Sequence, residues 1–141
     1  MSFPAPSAVL PHRPPFLFLD EVTALDPGKS AEGYWVPSPD LEFFAGHFPG
    51  RPTLPGVLIA ESIAQLGAYA VLQADAFAGK LPLFGGLDRA RFRRQVLPGE
   101  RLELTIEVLR FSARAGKAQG TASVDGKLAA SAELMFVVVE A

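Results

Sequence analysis

The chain has no cysteine and only two histidines in 141 residues. Each shortage removes a class of chemistry. Without cysteine there are no disulfides, no thiolate ligands for zinc or iron–sulfur clusters, no c-type haem attachment and no thiol nucleophile. His12 and His47 cannot make a three-histidine zinc site; histidine with carboxylates could still bind a metal, but the HExxH pair is missing. Excess charge of one sign is lacking too: 13 Lys+Arg against 15 Asp+Glu leaves a net charge of −2, which speaks against nucleic-acid binding. Long apolar runs are also absent. The longest, Val57 to Leu72, is broken by Glu61, Ser62 and Gln65 and falls short of the roughly 20 residues of a membrane span. Met1 to Pro15 lacks the basic and apolar regions of a signal peptide. A cytoplasmic protein without membrane attachment is therefore expected.

What is abundant is apolar residues, 49% of the chain, which is enough for a core and far from a disordered composition. The length suits one domain spanning residues 1–141. The 13 glycines and 13 prolines make up about 18% of the chain, against roughly 12% in average usage. Eight of them fall between Pro37 and Gly56, so that stretch reads as a shaped loop.

The period of the apolar residues sets the elements. The run from Phe16 through Leu25 reads as a buried strand ending in the Asp26-Pro27-Gly28 turn, and residues 31–36 as a second strand. From about Gly56 to Gln73 the pattern predicts a helix that is apolar on nearly every face and hence buried on all sides. Its small residues Ala60, Ala64, Gly67, Ala68 and Ala70 permit close approach of a sheet. Leu102, Leu104, Ile106 and Val108 alternate with Glu103, Thr105 and Glu107, the period of a half-buried strand. Ala118 to Val124 suggests another, Asp125-Gly126 a hairpin turn, and Lys127 to Val139 the return strand. The expected class is α+β, with one long buried helix wrapped by a curved antiparallel sheet. A single helix leaves sheet edge uncovered, so extension of the sheet across a dimer is expected as well.

Two apparent motifs fail on spacing. Gly28-Lys29-Ser30 lacks the glycine five residues earlier that a phosphate-binding loop needs; Thr23 stands there. In Gly28-Lys29-Ser30-Ala31-Glu32-Gly33 the second glycine comes one residue too late for a nucleophile elbow. The chemistry concentrates instead between Gly46 and Gln65. His47 sits between Gly46 and Phe48-Pro49-Gly50, a frame able to hold an imidazole still. Glu61 falls early in the apolar helix, where burial favours its protonated form and makes it an acid, while His47 is a natural base near neutral pH. Gln65, four residues on, shares its helix face and can orient the carboxyl. Gly56, at the helix start, offers a free N–H to a carbonyl oxygen.

Gly46-His47-Phe48-Pro49-Gly50, then Pro52, then Pro55-Gly56-Val57-Leu58, Glu61 and Ala64-Gln65 complete the pattern GHFPGxPxxPGVLxxExxAQ. This closely resembles the FabZ-type β-hydroxyacyl-acyl-carrier-protein dehydratases, which have the hot-dog fold. Leu10-Pro11-His12-Arg13-Pro14-Pro15-Phe16-Leu17 is similar to that family's LPHRYPFLL opening, with Pro14 where tyrosine is usual. Leu87 to Arg94 and Pro98-Gly99-Glu100 resemble its later strand and turn. The resemblance implies removal of water from a (3R)-3-hydroxyacyl thioester to give the trans-2-enoyl thioester, in type II fatty acid biosynthesis. It assigns His47 and Glu61 as the catalytic pair, meeting across a dimer interface, and the Gly56 amide as the holder of the thioester carbonyl. Phe48 and Gln65 are expected to be substrate-binding, Phe48 by lining an acyl tunnel. No metal or redox cofactor is implied, since the phosphopantetheine arrives on the substrate. The sister type, which also isomerises its product, carries aspartate where Glu61 stands, so dehydration alone is expected. The implied assembly is a homodimer further assembled into a hexamer, a trimer of dimers.

The partner implied is an acyl carrier protein, which is acidic. Arg89, Arg91 and Arg93 alternate along an expected strand and so share a face, with Arg94 beside them, a basic strip suited to docking it. His12 is expected to brace the N-terminal turn. The competing readings are a thioesterase on the same fold and a non-catalytic acyl-binding subunit; the intact His47–Glu61 pair favours the dehydratase over both.

Overall fold

The computed structural model describes residues 2–141. Its elements in chain order are α1 (Pro6–Val9), β1 (Glu21–Asp26), β2 (Ser30–Trp35), α2 (Phe43–Gly46), α3 (Gly56–Leu72), a short 3-10 turn at Asp75–Phe77, β3 (Leu81–Phe92), β4 (Leu102–Ser112), β5 (Ala115–Val124) and β6 (Lys127–Val139). The six strands form one antiparallel sheet in the order β1-β2-β4-β5-β6-β3. The long helix α3 lies on one face of it and touches every strand. This is the hot-dog arrangement of a helix wrapped by a curved sheet.

The period-two pattern explains which face meets the helix. Ala31, Gly33 and Trp35 of β2 pair with Ile106, Leu104 and Leu102 of β4. Leu104 and Ile106 pair in turn with Ala122 and Gly120 of β5. All of these are buried, whereas Glu103, Thr105 and Glu107 on the opposite face are exposed. Small residues on β5 and β6 bring the helix close. A side chain at Gly120 would place its Cβ 2.4 Å from Ile63 Cγ2 of α3, and one at Gly67 of α3 would sit 3.3 Å from Ile106 Cγ1. Large and small residues thus interdigitate across the layer boundary.

Two expectations about elements change. The apolar run from Phe16 is not one strand: β1 begins only at Glu21. Phe18 and Leu19 are buried, but the Phe18 N–H donates to the Gln65 side chain at 2.7 Å and the Phe18 carbonyl accepts from Ser62 Oγ at 2.6 Å. The backbone of this segment is satisfied by the helix instead of by a neighbouring strand. Nor is α3 buried on all sides. Val57 is 71% exposed, and Glu61, Ala64 and Ala68 form a half-buried stripe along one face. The polar residues interrupting the apolar run are therefore positional: Ser62 and Gln65 fasten the N-terminal segment, and Glu61 opens onto a groove.

Both ends of the sheet are edge strands. β1 is short, but β3 spans 12 residues and carries exposed Leu83, Phe84, Leu87 and Phe92. A long apolar edge is a pairing surface. Two bulges, between Phe84 and Gly86 and between Asp88 and Arg91, bend this edge.

Candidate active site

His47 caps the C-terminal end of α2, where its N–H reaches the Phe44 carbonyl at 3.3 Å. The loop beyond it folds back on itself. The Thr53 N–H donates to the His47 carbonyl at 2.8 Å, and the His47 ring Nδ1 lies 2.8 Å from the Thr53 carbonyl oxygen. Thr53 is in turn held by the Gln95 side chain, and Leu54 by the Val96 carbonyl at 2.8 Å. A carbonyl oxygen can only accept, so Nδ1 carries the hydrogen and Nε2 of the neutral ring keeps its lone pair. The ring is further restrained by stacking on Phe48, centroid to centroid 4.0 Å. The result is an immobile imidazole with Nε2 available as a base.

Gly56, the first residue of α3, lines the same pocket as His47, together with Ile59, Phe92 and residues 93–96. Its N–H is one of the four that a helix start leaves without an intrahelical partner, and it sits at the positive end of a 17-residue helix. The fit is close: a Cβ here would stand 3.1 Å from the Phe92 ring, which would have to give by a few tenths of an ångström.

Glu61 stands in a different pocket. Its neighbours there are His12 and Gln65 and a wall of Ala64, Ala68, Pro82, Phe84 and Met135 among others, nearly all apolar. The Gln65 Nε2 donates to Glu61 Oε2 at 2.9 Å, confirming that the two side chains share a helix face. The same amide donates to the Phe16 carbonyl at 3.1 Å and accepts the Phe18 N–H through Oε1. At 1% exposure, with both amide hydrogens taken, Gln65 orients Glu61 and has no hydrogen left for a ligand. His12 Nε2 approaches Glu61 Oε2 at 3.8 Å. Burial lowers the pKa of His12 below 6.5, and the nearby Glu61 pulls it partly back.

Phe48 is half exposed beside His47. The four arginines do not form the continuous strip expected from alternation. The bulge between Asp88 and Arg91 breaks the period, and Arg89, within the bulge, pairs with Glu133 on the sheet. β3 ends at Phe92, and Arg94 pairs with Glu100 at 3.1 Å. Arg91 and Arg93 are exposed and have no carboxylate partner among the described residues, and Arg93 and Arg94 line the His47 pocket. Sequence reasoning missed the Thr53 carbonyl, which sets the imidazole tautomer; a backbone atom leaves no residue signature. It also placed His12 in the turn without its neighbour Glu61, because 49 residues separate them.

Among the described residues no three His, Cys, Asp or Glu side chains gather as metal ligands, and no helix is long and apolar enough to cross a membrane.

An imidazole fixed in a glycine–proline loop, an amide donor at a helix start and a carboxyl in an apolar groove, all on a hot-dog fold, are the parts an acid–base dehydratase uses. The FabA-like domain model matches residues 10–133, and the chain belongs to that family. It is 49% identical over 130 residues to the 3-hydroxyacyl-[acyl-carrier-protein] dehydratase FabZ of Clostridium botulinum strain Okra, covering 92% of this chain and 90% of that protein. It is 50% identical over 130 residues to the enzyme of the same name from Pelotomaculum thermopropionicum, covering 92% and 93%. Among solved structures, a chain of the dehydratase heterocomplex ApeI:P from Xenorhabdus doucetiae superposes with a TM-score of 0.83 at 20% identity, over 96% of this chain and 91% of that one, which establishes the shared fold.

Proposed function

We propose that this protein removes water from (3R)-3-hydroxyacyl-acyl-carrier-protein to form the trans-2-enoyl thioester, in type II fatty acid biosynthesis in the cytoplasm. The observation that carries the reading is the setting of His47: Nδ1 is held by the Thr53 carbonyl, and the residue lines one pocket with Gly56, whose amide has no hydrogen-bond partner among the described residues. The Gly56 N–H holds the thioester carbonyl oxygen and stabilises the negative charge that grows there. His47 Nε2 takes a proton from C2, and the electron pair of that bond becomes the C2=C3 double bond. The C3–O bond breaks, and Glu61 passes its proton to the departing hydroxyl, which leaves as water. His47 then returns its proton to solvent and Glu61 regains one. Every proton is accounted for by side chains, so the reaction requires neither metal nor redox cofactor, and the phosphopantetheine belongs to the substrate.

His47 and Glu61 line separate pockets of one chain. The reading is completed by a second copy, joined along the exposed apolar β3 edge, so that each site takes His47 from one subunit and Glu61 from the other. Three such dimers form the hexamer. The apolar groove beyond Glu61 receives the acyl chain, with Phe48 at the entrance beside His47. Arg91 and Arg93 form the part of the arginine cluster that meets the acidic carrier protein; Arg89 and Arg94 serve their own carboxylates.

The test is a paired assay with a 3-hydroxyacyl-acyl-carrier-protein substrate. Growth of the enoyl thioester absorbance supports dehydration. Release of free carrier thiol instead identifies a thioesterase, and silence in both assays a non-catalytic acyl-binding subunit.

A further inference from the structure

His12 is one of only two histidines, it lies outside the long central motif, and the proposed reaction does not use it. Its Nε2 faces Glu61 Oε2 at 3.8 Å. Its Nδ1 is buried with no hydrogen-bond partner among the described residues. An imidazolium here would bury an N–H without an acceptor, so the ring is neutral and the hydrogen resides on Nε2, pointing at Glu61. Oε2 is thus faced by two N–H groups, from His12 and from Gln65, the latter at 2.9 Å. No hydrogen bond to Oε1 is present among the described residues. The Gln65 donor makes Oε2 the acceptor of the carboxyl group, with His12 Nε2 approaching the same oxygen from 3.8 Å, and a proton placed on Oε2 would collide with the Gln65 hydrogen. The transferable proton therefore belongs on Oε1.

We propose that His12 is a positioning residue for the proton donor: with Gln65 it holds Glu61 Oε2 and so directs the acidic proton onto Oε1, toward the substrate. The separation of 3.8 Å is a polar approach longer than a hydrogen bond, and catalytic contacts of this kind commonly tighten in the substrate complex. Burial lowers the pKa of His12 and keeps the ring neutral, with the Glu61 field opposing it more weakly. Within one chain no other charge disturbs the pair. The remaining residues of its pocket are uncharged, and the Arg13 guanidinium is turned onto the carbonyls of Leu10 and His12 at 2.8 and 2.6 Å. In the proposed dimer, the other copy's pocket brings His47 together with the Arg93 and Arg94 that line it.

This rests on Glu61 being the acid of the proposed dehydration, so Glu61→Gln serves as the control. His12→Phe keeps the ring and removes the donor. His12→Gln restores an amide N–H near the Nε2 position. With wild-type oligomer and fold confirmed for each, His12→Phe is expected to lower kcat about tenfold to a hundredfold, the size of one hydrogen bond to a charged group, with little change in KM. His12→Gln should recover most of that loss. The alkaline limb of the kcat/KM profile, where Glu61 loses its proton, should move to higher pH in His12→Phe, because a lost donor favours the protonated carboxyl. An inactive Glu61→Gln beside a fully active His12→Phe overturns the inference. So does a His12→Phe defect that His12→Gln does not rescue and that leaves the alkaline limb in place, since that pattern describes packing. An active Glu61→Gln overturns the dehydratase reading itself.

Discussion

His47 and Glu61 face different pockets of the same chain, although only 14 positions separate them: the imidazole lines a pocket with Gly56 and Phe92, and the carboxyl lines a groove with Ala64, Ala68 and Phe84. The reason is the helix start. Gly56 begins α3 at the end of the histidine loop, and Glu61 then points along the helix flank toward β3 and β6. In the proposed reaction the two groups meet across a second copy of the chain.

That division gives the sharpest prediction. His47→Ala and Glu61→Gln should each lose activity by a factor on the order of 100 or more. Mixed after reversible dissociation, the two inactive variants should regain about a quarter of wild-type activity, because each mixed dimer of twofold symmetry holds one site with both residues intact. Steady-state dehydration assays on the mixture check this. No recovery despite proven subunit exchange would place the pair within one chain.

Gln65 ties three things together: the Glu61 carboxyl, the Phe16 carbonyl and the buried Phe18 N–H. Gln65→Leu conserves volume but leaves the Phe18 N–H without an acceptor. Stability should fall by about 1–3 kcal/mol. Urea unfolding at fixed protein concentration measures the loss, and kcat should fall with it because Glu61 Oε2 loses a donor.

His12 has its pKa lowered by burial from an ordinary value of 6.5. The unfolded chain therefore binds this proton more readily than the folded one, and folding loses support as the pH falls. The contribution is complete above about pH 6.5, is lost progressively down to the lowered folded value, and is constant below it. His12→Gln should flatten the stability–pH curve within that window. Denaturant midpoints measured from pH 7.5 down to about pH 4.5 would show the effect. An unchanged slope would mean that the ring is no harder to protonate in the folded protein.

Gly120 marks where helix and sheet touch most closely. A Cβ there meets Ile63 Cγ2 at 2.4 Å and the Thr105 carbonyl oxygen at 2.6 Å, the second of which is backbone and cannot move aside. Gly120→Ala should cost about 1–3 kcal/mol through overpacking. A thermal midpoint equal to that of the wild type would show that the two layers can separate there at little cost.

Much of the fold was legible because its elements are strongly periodic. The return strand was read as Lys127 to Val139 and is β6 over those same residues; the long helix was read from Gly56 and ends one residue before the expected Gln73. β3 was harder. Its two bulges, with Gly85-Gly86 at one and Arg89 at the other, interrupt any alternation, so neither the strand's extent nor the facing of its arginines could be read from period two. The Phe16–Leu19 segment misled for the opposite reason. Its residues are as apolar as a strand's, but its backbone bonds go to Ser62 and Gln65, and a pattern of apolar residues carries no information about where backbone hydrogen bonds end.

By itself the sequence determined the chemistry available. It supplies one imidazole in a rigid loop, one carboxyl in an apolar helix and a glycine at the helix start, in a spacing long and specific enough to point to a family. Tertiary structure alone decided how those groups are aimed. The Thr53 carbonyl chooses the nitrogen of His47 that is free, Gln65 holds one oxygen of Glu61, and the path of α3 sends the two side chains into separate pockets. Those choices are made by backbone atoms and by residues remote in the chain, and only folding brings them within hydrogen-bonding reach.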